Sequence, residues 1–122
     1  MLIRYKKSFK KIAMGLLSYM PQEKELRTLQ ETIESYETSD ERQLYLWKID
    51  EDIVGVVGVA ADNNKVEILH IAVNPSYRDE GIGTEMIAAV TKAHPDQEVV
   101  PGEATTRFFE KCTKEAGKGS RL

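Results

Sequence analysis

The sequence predicts an α+β fold: a mostly antiparallel central sheet flanked by helices, in one domain spanning residues 1–122. Three observations predict it. Apolar residues recur at helical spacing over the first third of the chain. Three strand-like runs, separated by polar turns of about three residues, then fill residues 43–73, and connections this short join antiparallel neighbours. After residue 81 the helical period returns, so the last of these strands passes through a glycine-containing turn into a helix.

Each element follows from its local pattern. Residues 2–6 (Leu2-Ile3-Arg4-Tyr5-Lys6) suit a short strand. Phe9, Ile12, Ala13, Leu16, Leu17 and Met20 make one apolar helical stripe, and Pro21 ends that helix or sits in the first turn of the next. Leu26, Leu29, Ile33 and Tyr36 make a second, narrower stripe, and Glu37–Arg42 is a polar loop. Leu44–Ile49, Ile53–Ala60 and Val66–Val73 are the three strands. Gly55 and Gly58 in the middle one mark close approach by a neighbour or a bulge. Asn74-Pro75 stops the third. Ile82, Met86, Ala89, Val90 and Ala93 share a helical face, and His94-Pro95 ends it. Glu98-Val99-Val100 is a short strand. Ala104, Phe108, Cys112 and Ala116 form a last stripe, with Gly117 as its stop.

Composition removes several classes of function. With 41% hydrophobic and 30% charged residues, the chain can build a core and is not of the disordered type. The net charge of −3 offers no global positive field to nucleic acid or to an anionic membrane. One cysteine excludes an internal disulfide framework and a cysteine-rich zinc site, and with only His70 and His94 no metal site is expected. No secretory leader is visible, and the longest mostly apolar stretch, Ile12–Met20, is far below the ~20 residues of a membrane-spanning helix. A reducing, cytoplasmic setting is expected.

Chemistry concentrates between Val66 and Ile87. An apolar strand leads through Asn74-Pro75-Ser76-Tyr77 into Arg78-Asp79-Glu80-Gly81-Ile82-Gly83, where a helix begins. Glycines at 81 and 83 permit positive φ and close backbone approach. The unpaired N–H groups of the loop and first helical turn, at the positive end of the helix dipole, suit a pyrophosphate, with Arg78 adding charge. The pattern is neither a dinucleotide fingerprint nor a P-loop, because no Gly-Lys-Ser/Thr follows.

These residues resemble the acetyl-CoA-binding motif of the GNAT N-acetyltransferases, written Q/R-x-x-G-x-G/A, with Arg78, Gly81 and Gly83 at its three fixed positions. The order of elements resembles that family over nearly the whole chain. The resemblance implies acetyl-CoA (or CoA) as cosubstrate and a small-molecule or protein amine as acceptor, with no metal. It implies that residues 66–73 splay from residues 98–100 and that pantetheine lies in the gap against the backbone of Ile71, Ala72 and Val73. A backbone N–H near Val73 would polarise the thioester carbonyl. N–H groups of Asp79, Glu80, Gly81, Ile82 and Gly83 would hold the pyrophosphate.

Departures from the family pattern fall at the C-terminus. Phe109 stands where a tyrosine acid is expected, and Gly102 roughly where an asparagine is. The usual Gly-Phe and two final strands are missing, which shortens the fold and leaves room for a homodimer partner to complete the acceptor site. Two residues on the motif strand are candidate general bases, Glu67 and His70. Strict alternation, three residues apart, sets them on opposite faces. Their structural alternatives are an exposed strand carboxylate and a hydrogen-bonded strand histidine. The expected activity is acyl transfer to an amine. The alternative is a CoA-binding module that regulates or docks on a biosynthetic partner.

Overall fold

The computed structural model describes the backbone of residues 1–119 and the side chains of residues 1–112. Its elements run β1 (Leu2–Arg4), α1 (Lys10–Leu17), α2 (Leu26–Thr38), β2 (Arg42–Ile49), β3 (Asp52–Ala61), β4 (Lys65–Val73), α3 (Ile82–Ala93), β5 (Glu98–Pro101) and α4 (Thr106–Gly119). Single 3-10 turns precede α1, α2, α3 and α4. The sheet order is β1-β2-β3-β4-β5; every pair is antiparallel except β4–β5, which is parallel.

The sheet separates two apolar clusters. On one face Leu16, Leu17, Leu29, Ile33 and Tyr36 of α1 and α2 pack on Leu44, Leu46, Val56 and Ala72. On the other, Ile82, Met86 and Val90 of α3 pack on Tyr45, Val57, Val59, Ile68, Ile71 and Val73. Both expected close-approach glycines of β3 have a neighbour that needs the space. A Cβ on Gly55 would lie 2.8 Å from the Met86 sulfur, and one on Gly58 would overlap the ring and hydroxyl of Tyr36.

Several expectations are corrected. Ile12 and Leu26, assigned to the two N-terminal stripes, are exposed, because each sits at the edge of its helix face. Ala104 is also exposed; Thr105, 1% exposed, takes its place in the stripe ahead of Phe108 and Cys112. Gly117 does not stop α4, which continues to Gly119. Ala116, the last of that stripe, has a side chain outside the described residues.

Two bulges set the site. Trp47 pairs with Gly55 but Lys48 with Ile53, so Val54 is the extra residue of β3. Gly58 pairs with His70 but Val59 with Ile68, so Leu69 is the extra residue of β4. The second bulge re-aims everything after it by one position.

Candidate functional site

β4 and β5 pair only from Lys65↔Glu98 to Ile68↔Pro101 and then part. Thr105 fixes the point of separation. Its hydroxyl donates to the Ile68 carbonyl at 2.6 Å and accepts from the Gly102 N–H at 3.0 Å, while that same N–H also donates to Ile68 at 2.9 Å. Beyond this clamp the outer edge of Leu69–Val73 has no strand partner among the described residues. The sequence reading missed Thr105; its one local signal was a hydroxyl three residues after Gly102 at the entrance to a helix, within reach of the Gly102 N–H.

The loop after β4 is built from short-range contacts. The Asn74 side chain accepts from the Ser76 N–H at 2.9 Å and caps the turn Pro75–Tyr77. Asp79 and Gly81 both have positive φ, 65° and 77°. Gly81 is the N-cap of α3, with no side-chain cap, and the helix's first i→i−4 bond is from the Glu85 N–H to the Gly81 carbonyl. The amides of the first turn therefore lack intrahelical acceptors at the positive end of the helix.

The far end of β4, this loop, the start of α3 and α4 line a cleft of about 470 Å³, within the usual range for small-molecule sites. Ile71, Ala72 and Val73 line it, as do Arg78, Asp79, Gly81, Ile82 and Gly83. Of the residues expected at a cosubstrate site, Glu80 alone lies outside the lining. Tyr19, Met20 and Pro21 wall the α1–α2 side, and Arg107, Phe108 and Lys111 wall the α4 side. Within the lining, the Arg78 guanidinium carbon is 5.9 Å from the centre of the Tyr19 ring, within cation–π range.

The two motif glycines differ in kind. Gly81 is needed for its backbone: φ is 77°, and an added Cβ would meet nothing within 4 Å. Gly83 is needed for packing, since a Cβ there would lie 2.6 Å from the Phe108 ring. Phe109 is not among the cleft-lining residues and packs instead against the α3-side core. The phenyl group that α4 presents to the cleft is Phe108. Neither ring can donate a proton.

The candidate bases are not on opposite faces. Glu67 alternates with the α3-side residues Val66 and Ile68, and the extra residue at Leu69 turns His70 to the α1–α2 side as well. Their circumstances differ. Glu67 is exposed and makes no hydrogen bond or ion pair among the described residues; it stands one residue before the strands part, next to Gly102. His70 has both ring nitrogens engaged: Nε2 lies 3.0 Å from Glu23 Oε1 and Nδ1 lies 2.5 Å from the Tyr36 hydroxyl. Thr32 donates to the other Glu23 oxygen at 2.9 Å.

Burial holds the imidazole below its usual pKa against the pull of Glu23, and burial likewise raises the Tyr36 phenol. A neutral imidazole satisfies the whole cluster: Nε2–H donates to Glu23, and Tyr36 donates to Nδ1. Glu23 is 4% exposed, and it too escaped the sequence reading. Neither Glu67 nor His70 lines the cleft. Among the described residues there is no cluster of potential metal ligands, and no helix is long and apolar enough to cross a membrane.

A profile of the Acetyltransferase (GNAT) family matches residues 9–113. The chain belongs to the GNAT acetyltransferase family. It is 58% identical over 113 residues to an uncharacterized N-acetyltransferase in the lysA 3′ region of Bacillus methanolicus, an alignment covering 92% of this chain and 94% of that one. AAC(6′)-Iy, solved with the bisubstrate analogue CoA-S-monomethyl-acetylneamine, superposes with a TM-score of 0.75 at 16% identity over 95% of this chain and 87% of that one. An aminoglycoside 6′-N-acetyltransferase complexed with coenzyme A superposes with a TM-score of 0.64 at 19% identity, over 76% and 54%. These two likenesses establish a shared GNAT fold; acetyl-CoA is the cosubstrate typical of the family.

Proposed function

We propose that the protein is an acetyl-CoA-dependent N-acetyltransferase acting in the cytoplasm on a small-molecule or protein amine. The supporting observation is that one cleft joins an unpartnered strand edge to an uncapped helix N-terminus. Those are the two backbone features that a pantetheine arm ending in a pyrophosphate requires. In this reading Ile71, Ala72 and Val73 pair with pantetheine through their main chain. The N–H groups of Asp79, Glu80, Gly81, Ile82 and Gly83 hold the pyrophosphate with Arg78.

The chemistry is direct transfer. The amine nitrogen attacks the thioester carbonyl, the C–S bond breaks, and the proton lost from nitrogen passes through water to the base. Glu67 suits that role better than His70 because its carboxylate is unengaged, whereas both imidazole nitrogens of His70 are occupied. The thiolate leaves without an acid from α4 and takes a proton from solvent. A thiol pKa near 8.5 makes this feasible, at the loss of a general-acid contribution of about 10²–10⁴-fold.

We further propose a narrower relation, to RibT, the small GNAT protein encoded with riboflavin-biosynthesis enzymes in Bacillus-type bacteria; it specifies no acceptor. The lack of a proton donor at Phe108 and Phe109 favours a second reading, a CoA-binding module that regulates or docks on a partner. Thiol release from acetyl-CoA against an amine panel separates the two. Transfer that falls in Glu67→Gln with CoA affinity kept supports the enzyme. Binding without transfer to any amine supports the module.

A further inference from the structure

Resting on the CoA reading of the cleft, we infer that Arg107 and Lys111 form a separate anion subsite, selective for the 3′-phosphate on the ribose of CoA. Both line the cleft and both are exposed. Four residues apart on α4, they share one side of the helix. Phe108 and Cys112, the residues that follow each of them, are the ones that abut Gly83. The two cations therefore flank the start of α3, beside the Arg78–Gly83 loop.

Neither cation has a hydrogen bond or ion pair among the described residues. That is notable in a chain with 20 acidic side chains against 17 basic ones. Asp79 is the sole carboxylate of the lining, against three cations. The loop amides and Arg78, which is already held over Tyr19, suffice for a pyrophosphate. The remaining anion of CoA is its ribose phosphomonoester, nearly dianionic at neutral pH. A guanidinium and an ammonium on one helix face complement it in charge and in donors. Such a subsite discriminates CoA from thioesters on a phosphopantetheine arm that lacks the nucleotide.

Calorimetric titration with CoA and with 3′-dephospho-CoA tests this on the wild type, Arg107→Ala, Lys111→Ala and the double variant. The wild type should prefer CoA by about tenfold or more, as expected for charge-assisted contacts. The double variant should lose most of that preference while keeping its affinity for dephospho-CoA. Melting temperatures check that the folds are equal. A wild type that binds both ligands alike overturns the inference and leaves the CoA reading standing, as does a double variant weakened equally toward both. A wild type that binds neither ligand overturns both readings.

Discussion

Replacing Gly81 isolates a backbone requirement, because the surroundings impose no steric one. Its φ of 77° lies in the left-handed region, and a Cβ would find nothing within 4 Å. Gly81→Ala should therefore cost only the conformational penalty, about 1–2 kcal/mol. For a chain of 122 residues, 1 kcal/mol corresponds to roughly 3–5 °C in Tm, so the alanine variant should melt about 3–10 °C low. Asparagine tolerates the left-handed region and should lose less; valine, β-branched, should lose most. The series is read by thermal unfolding without ligand, then by calorimetry with CoA. Because the open side of Gly81 borders the cleft, CoA affinity should fall in the same order. If Ala, Asn and Val all melt within a degree of wild type, the dihedral is not what this position requires.

Other substitutions probe packing and protonation. Gly83→Ala pushes a methyl to 2.6 Å from the Phe108 ring and should cost about 1–3 kcal/mol as overpacking; pairing it with Phe108→Leu should recover part of the loss in denaturant unfolding. Gly58→Ala displaces Tyr36 and strips His70 Nδ1 of its partner, so overpacking and an unmade buried hydrogen bond together should cost roughly 2–5 kcal/mol. His70 carries a folded pKa below its unfolded value near 6.5. The unfolded chain therefore binds the extra proton first, and stability should be highest above pH 6.5 and fall as pH drops through the lowered folded value. Unfolding titrations from pH 7.5 to 5.5 should show that slope in wild type and a shallower one in His70→Gln. Phe109→Tyr should leave turnover unchanged, because residue 109 lies outside the cleft lining; a clear rise in thiol-release rate would contradict this.

The elements were legible in the sequence because hydrophobic period reports directly on which face is buried. Leu44–Ile49 and Val66–Val73 needed no tertiary knowledge. The cleft residues from Ile71 to Gly83 were legible because strand, loop and helix are contiguous in the chain. What escaped depends on contacts distant in sequence. The bulge at Leu69 leaves no trace in Ile68-Leu69-His70-Ile71, which reads equally well as strict alternation, so Glu67 and His70 were assigned to opposite faces. Glu23 sits in the polar run Gln22-Glu23-Lys24-Glu25, and only the fold, 47 residues on, supplies the histidine that buries it. The packing demand on Gly83 also escaped, because nothing nearby announces the Phe108 ring that α4 brings against it.

The Thr105 clamp has a consequence for the protein's behaviour as a colloid. By ending the β4–β5 ladder at Ile68, it leaves the outer edge of residues 69–73, with Ile71 and Val73 on it, without a strand partner among the described residues. A bare edge of that kind is a template for another strand, and sheets ordinarily blunt it with charge, proline or a covering loop. Residues 69–73 carry no proline and no charged side chain, the imidazole of His70 being neutral and turned into its cluster with Glu23 and Tyr36. A cosubstrate lying along the edge would occupy the groups through which two copies could stick. The concentration of such a ligand would then govern how long the chain remains monodisperse.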